Sequence, residues 1–374
     1  MKKTHKLMVC VLSLILLTAC GSSWSSGEGD GHSSRYPDRK DGNGIYYWRT
    51  TFKLDSVEQQ FLTQNDVKRM YVRFFDVVKS KYDNSGSTPN ATITFKDTVP
   101  EGVEIVPTVY VLNNVLDIDK RAQSKYTGEP ESELLAENID LIAQKIVKRV
   151  MLMCKAHGIN TVREVQVDCD WTKSTRNNFD QLCRRMQNAL PDSIELSATI
   201  RLHQLRQSVP PVGRGVLMVY NTGNFRNINT KNSIIDLNNI KPYLRDVDYD
   251  LPLDVAYPAF EWSLLYNERN EFAGIMYNMD WSDKKLYKPI GPNLYEVISR
   301  HYRKSDEVLL KPGYKIKVEQ SSIEELKRVK QAIDAAVTSG STILYHLDSK
   351  NLSKYAENEI LEIYRNSTDV AVRY

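Results

Sequence analysis

Short runs rich in β-branched and aromatic residues alternate along the chain with stretches whose apolar positions recur every three or four residues. This is the pattern of strands separated by amphipathic helices. Gly44 to Phe52 (GIYYWRTTF) predicts a first strand, and Asp55 caps a helical segment to about Asn65. Lys68 to Val77 (KRMYVRFFDV) repeats the form, with Arg73 and Asp76 on opposite faces by parity. Glu104 to Asn113 (EIVPTVYVLN) gives a third strand, with Pro107 near its start, where a missing donor is tolerated. From Ser132 to His157, apolar residues at Leu135, Ile139, Ile142, Ile146, Val150 and Met153 predict a long helix stopped by Gly158. The fourth strand is Val165 to Trp171 (VQVDCDW), followed by a helix from about Ser174 to Leu190 that Pro191 ends.

Glu195 to Leu202 (ELSATIRL) is the fifth strand, a Pro210-Pro211 loop replaces a full helix, Gly215 to Thr222 is the sixth strand and Leu251 to Phe260 the seventh. An excursion from about Trp262 to Ser321 contains strand-like runs at Phe272–Tyr277 and Val308–Val318, which predicts an elaborated loop or small subdomain over one end of the sheet. The last unit has overlapping capping boxes at Ser321-Ser322-Ile323-Glu324-Glu325, apolar positions at Ile323, Leu326, Val329, Ile333 and Val337, a stop at Gly340, and an eighth strand from Ser341 to Leu347. Eight strands with helices in most gaps predict an α/β fold, a (β/α)8 TIM-type barrel with an insertion between strands seven and eight. An open doubly wound sheet is the second choice, although no GxGxxG or GxxxxGK[ST] follows any strand.

The N-terminus changes the picture of where the chain works. Lys2, Lys3 and Lys6 precede an apolar run from Leu7 to Leu17, too short for the ~20 residues of a membrane span, and Leu17-Thr18-Ala19-Cys20 follows. Those residues resemble the lipobox of bacterial lipoproteins. The resemblance implies a signal peptide over 1–19, lipidation of Cys20 and, with Gly21 next, an outer-membrane address in the cell envelope. The alternative is a soluble secreted protein with a chance cysteine. Residues 20–43, rich in Gly and Ser, predict a flexible tether, and residues 44–374 the barrel.

Without residues 1–19 the 50 basic residues fall to 47, equal to the 47 acids, and no Lys/Arg block remains. Nothing in that balance suggests a nucleic-acid surface, and no nucleic-acid partner is expected. Cys154, Cys169 and Cys183 show no zinc spacing; they predict buried thiols, with one disulfide open. Neither HExxH nor GxSxG occurs, and no cofactor or metal is expected; a monomer is.

Function in such a barrel belongs to the C-terminal strand ends. There the sequence offers Asp76, then Asp168 and Asp170 on one strand face, Arg201 and His203, Tyr220 and Asn221, Glu261, and finally His346 and Asp348. The bland reading of each, a polar residue capping a helix or facing solvent, is favoured singly. Together they suggest a site. Strands four and seven are expected to face one another, so that Asp170 and Glu261 act as a working carboxylate pair with Asp168 as modulator, the arrangement that glycoside hydrolysis needs. Trp171, Tyr220, Phe260 and Trp262 stand beside the acids as sugar platforms or as packing.

The segments YVRFFDV, VQVDCDWT, GVLMVYNTG, LDVAYPAFEW and STILYHLD are similar, in order and spacing, to those of a bacterial family of unknown function that resembles glycoside-hydrolase barrels. The fourth strand also resembles the DxxDxDxE of family-18-type chitinases. Asp168 and Asp170 match its DxD, and Thr172 stands in place of its Glu. The resemblance implies a glycan or polysaccharide partner. Two readings stay open: an envelope glycoside hydrolase, and a barrel without catalysis that binds glycan or protein on the same face.

Overall fold

The computed structural model describes residues 39, 42–79, 87–117, 131–277 and 279–365, with the side chains of 131–138 left aside. Cys20 and the segment 1–38 lie outside the described residues. Eight parallel strands form the barrel: β1 (Asn43–Tyr47), β2 (Val67–Lys79), β3 (Glu104–Val111), β4 (Glu164–Asp168), β5 (Glu195–Arg201), β6 (Arg214–Met218), β7 (Leu253–Pro258) and β8 (Ser339–Tyr345). Each pairs with the next, and β1 pairs in parallel with both β2 and β8, so the sheet closes and the open alternative is excluded. In this ring the strand diametrically opposite β4 is β8, which corrects the expectation that strands four and seven face one another.

Strand parity divides the core in two. Ile45, Met70, Val72, Val167 and Leu217 face the helices in the main apolar cluster, while Tyr46, Tyr71, Val106, Val216, Met218, Ala256 and Ile343 fill the barrel. Helix α1 (Ser56–Gln64) starts where Asp55 accepts from the Glu58 N–H at 2.8 Å and Glu58 returns the bond, a complete capping box. Helix α2 (Glu131–Ala156) buries Ile139, Ile142, Ile146 and Val150 against the sheet, and Gly158, at φ +66°, supplies the left-handed residue that ends it. Helix α3 (Arg176–Ala189) buries Phe179, Leu182, Cys183 and Met186. Helix α4 (Ile323–Asp334), capped by Ser322, buries Leu326, Val329 and Ile333. Helix α5 (Glu357–Tyr364) closes the described chain, and its Tyr364 hydroxyl donates to the Gly44 carbonyl at 3.0 Å.

Three expectations are corrected. Gly340 lies inside β8 instead of stopping a helix, because α4 has already ended at Asp334. The insertion is larger than its two legible strands: Glu261–Tyr266, Phe272–Met276, Tyr287–Gly291, Leu294–Val297 and Lys315–Gln320 form an antiparallel sheet with its own core around Leu265, Met276, Val297, Leu310 and Ile316. Arg39, assigned to the tether, is instead buried among barrel residues. The thiols of Cys154, Cys169 and Cys183 are buried and unpaired to one another, so no disulfide forms among them.

Candidate functional site at the barrel mouth

Residues Gln166 and Asp168 of β4 share the inward face, and Asp168 ends the strand at the mouth, buried to 3% exposure. Thr199 on neighbouring β5 donates to Asp168 Oδ1 at 2.6 Å. Burial pushes the Asp168 carboxyl up to about 6, with Asp170 and Asp76 adding to the rise while Arg201 and the Thr199 hydroxyl oppose it. Two residues on, Asp170 is half exposed and receives the Arg201 Nε at 2.5 Å. The backbone N–H of Arg201 donates in turn to Gln204 Oε1 at 2.7 Å, so the loop after β5 holds the base of the arginine in place.

A second arginine–aspartate pair lies on β2. Arg73 Nε donates to Asp76 at 2.7 Å and its Nη2 to the other carboxylate oxygen, while the guanidinium stands 5.5 Å over the Trp48 ring. Parity put these two residues on opposite faces. The register against β3 shifts between Arg73 and Phe75, and the extra residue returns Asp76 to the face of Arg73. Asp76 thereby comes near enough to Asp168 to raise its pKa.

Aromatic side chains complete the mouth. Tyr345 of β8 stacks on Tyr220 at 4.7 Å between ring centroids and meets Trp48 at 5.8 Å and Phe260 at 5.8 Å. Tyr110, at the end of β3, pairs in register with Asp168, and burial together with Asp170 and Asp168 pushes its hydroxyl up to about 12. The Tyr220 hydroxyl is buried with no hydrogen-bond partner among the described residues. Burial pushes the Tyr345 hydroxyl up, and Tyr277 of the insertion adds to the rise. A cis peptide joins Tyr345 to His346.

Of the sequence candidates, the structure brings together Asp76, Asp168, Asp170, Arg201 and Tyr220. His203 joins them at the exposed rim, its imidazole lowered by burial and by Arg201, with Asp170 opposing. The others lie elsewhere. Glu261 starts the insertion sheet opposite Gln320, and its carboxylate pairs with Lys354. Trp171 is buried in the outer core, stacked on Phe179 and covered by Arg176 at 4.5 Å. Trp262 donates to Glu319 at 3.1 Å and buttresses Phe260 from behind. Asp348 caps a helical turn at Ser349–Leu352, His346 is packed beside Asp348 and Arg49, and Asn221 is an exposed residue at φ +55°.

Trp48, Arg73, Tyr110, Thr199 and Tyr345 are the mouth residues missed from the sequence. Tyr345 shared the inward parity of Ile343, a signal hidden by placing the strand end two residues late. Thr172, in the position of the chitinase glutamate, is exposed and turned into the helix-capping turn, bonding to Ser174 and Thr175.

No family model matches the chain, and no curated protein matches it. Among solved structures it is similar to the spore cortex-lytic enzyme SleL of Bacillus cereus, at 12% identity over 87% of this chain and 75% of that one, with a TM-score of 0.49. A chitinase from Rhizomucor miehei matches at 10% identity, covering 87% of this chain and 100% of its own, with a TM-score of 0.48. A chitinase from Bacteroides thetaiotaomicron matches at 9% identity over 88% and 98%, also with a TM-score of 0.48. At these identities the α/β barrel rests on the strand pairings themselves.

Proposed function

We propose that the barrel binds a glycan at its mouth and does not hydrolyse it. The observation that carries this reading is the pairing of the half-exposed acid Asp170 with Arg201, in a mouth where Glu261 is turned to Lys354 and position 172 is a threonine. Hydrolysis needs one carboxylic acid to protonate the leaving oxygen and a second group to attack or activate water. Asp168 has the raised pKa of a proton donor but is buried behind Thr199, and Asp170 and Asp76 are each neutralised by an arginine. What the mouth offers a sugar is a set of half-buried rings, Trp48, Tyr110, Phe260 and Tyr345, flanked by two arginine–aspartate pairs whose atoms match adjacent hydroxyls. The likeness of VQVDCDWT to chitinase-type strands supports the same substrate class.

Binding of the purified protein to a glycan panel, with Tyr345→Ala as control, tests the reading. Saturable binding that weakens in the variant is the expected result, and no binding to any glycan would overturn it. We propose further that Cys20 carries lipid and holds the protein in the bacterial envelope. A Cys20→Ala form that still partitions wholly with membranes would contradict that.

A further inference from the structure

The end of the barrel opposite the mouth carries charges that glycan binding does not use. Glu164 opens β4, Asp254 lies second in β7 and Arg69 third in β2, all buried, and Glu104 begins β3 at 3.3 Å from Arg69. Into this cluster reaches Arg39, four residues before β1. Its Nη2 donates to Asp254 at 2.6 Å and to the Tyr71 hydroxyl at 3.0 Å, and its Nε stands 3.4 Å from Glu164, with the side chain fully out of water. Burial alone works against the guanidinium charge, yet Tyr71, Glu164 and Asp254 together raise its pKa above the ordinary arginine value. Asp254 is also bound by the Ser341 N–H at 2.8 Å and faces Arg214 at 3.6 Å; burial pulls its pKa up, and these partners with Arg39 bring it below the usual range.

A buried carboxylate persists only while it is paired. Arg39 is the ligand from outside the sheet that answers Asp254 and Glu164 at once. We infer that Arg39 is a latch, pinning the segment before β1 to the base of the barrel, so that the chain joins the folded domain at the end opposite the mouth. Whatever holds the chain upstream of Arg39 then holds the barrel by its base. For a membrane this consequence rests on the lipidation of Cys20; the latch itself does not.

Spin labels test the latch directly. In the full chain with Cys10→Ser and Cys20→Ser, one label pair is placed at Asp38→Cys and Lys173→Cys, the latter exposed beyond β4 near the mouth. A reference pair uses Lys68→Cys on β2 with the same Lys173→Cys. The latch predicts a distance distribution for the first pair as narrow as for the reference, and at least a doubling of its width on Arg39→Gln with the reference unchanged. A broad first distribution with Arg39 in place, or one that Arg39→Gln leaves unaltered, overturns the inference. Should Arg39→Gln fail to fold, the two widths in the Arg39 protein still decide. None of these readouts depends on lipid or on glycan.

Discussion

Replacing Asp168 by Asn should change the pH dependence of stability in a direction and amount that the mouth geometry fixes. Asn keeps the shape of the side chain and can never ionise. The native carboxyl sits at about 6, against roughly 3.9 in an unfolded chain. An acid whose folded pKa lies above its unfolded value contributes stability that is complete below the unfolded pKa and lost as pH rises through the folded one. The window therefore runs from about pH 4 to about pH 6. A gap of about two pKa units at ~1.4 kcal/mol each is a loss of about 3 kcal/mol, and the 3% exposure of Asp168 leaves little solvent to screen it. Thermal unfolding of both proteins from pH 4 to 8 reads it out. Any cost of weakening the Thr199 bond is the same at each pH, while Asp168→Asn gains on wild type by roughly 4 °C between pH 4 and 7. A constant difference across that range, or one that moves against the variant, would refute the placement of Asp168 in a buried site ringed by acids.

Other expectations follow from the same structure. Tyr345→Ala, by removing the ring that joins Tyr220, Trp48 and Phe260, should weaken glycan binding roughly three- to tenfold in calorimetry, the size of a lost aromatic contact. Ile333→Ala, on the fully buried face of α4, should cost about 2–5 kcal/mol in denaturant unfolding. The thiols of Cys154, Cys169 and Cys183 should resist a thiol reagent until the protein is denatured, since burial pushes Cys154 up to about 12 and the other two well above the ordinary range.

The barrel was legible because its signals are local. Asp55 with Glu58 and Ser322 with Glu325 cap their helices within one turn, and the alternation of Ile45, Tyr46 and Tyr47 needs no partner to be read. The site was legible only where it follows strand parity, as Asp168, Arg201 and Tyr220 do. Arg73 and Asp76 were separated in the sequence reading because a one-residue register shift leaves no mark in composition. Glu261 was misplaced because its strand pairs with Lys315–Gln320, more than fifty residues away, and that pairing turns it toward Lys354. Arg39 was invisible for a related reason. An arginine in a Gly- and Ser-rich stretch says nothing about the buried Asp254 that it meets, 215 residues on.

The central claim, a glycan-binding mouth without hydrolysis, is tested most directly on the glycan bound best by wild type. Bound and free glycan and newly formed reducing ends are measured together over a long incubation, with Asp170→Asn and Asp168→Asn in parallel. The account predicts saturable binding by wild type and no reducing ends above the protein-free control in any of the three. Reducing ends released by wild type and abolished in Asp170→Asn, with binding retained, would contradict it and make Asp170 a catalytic acid despite its partner Arg201.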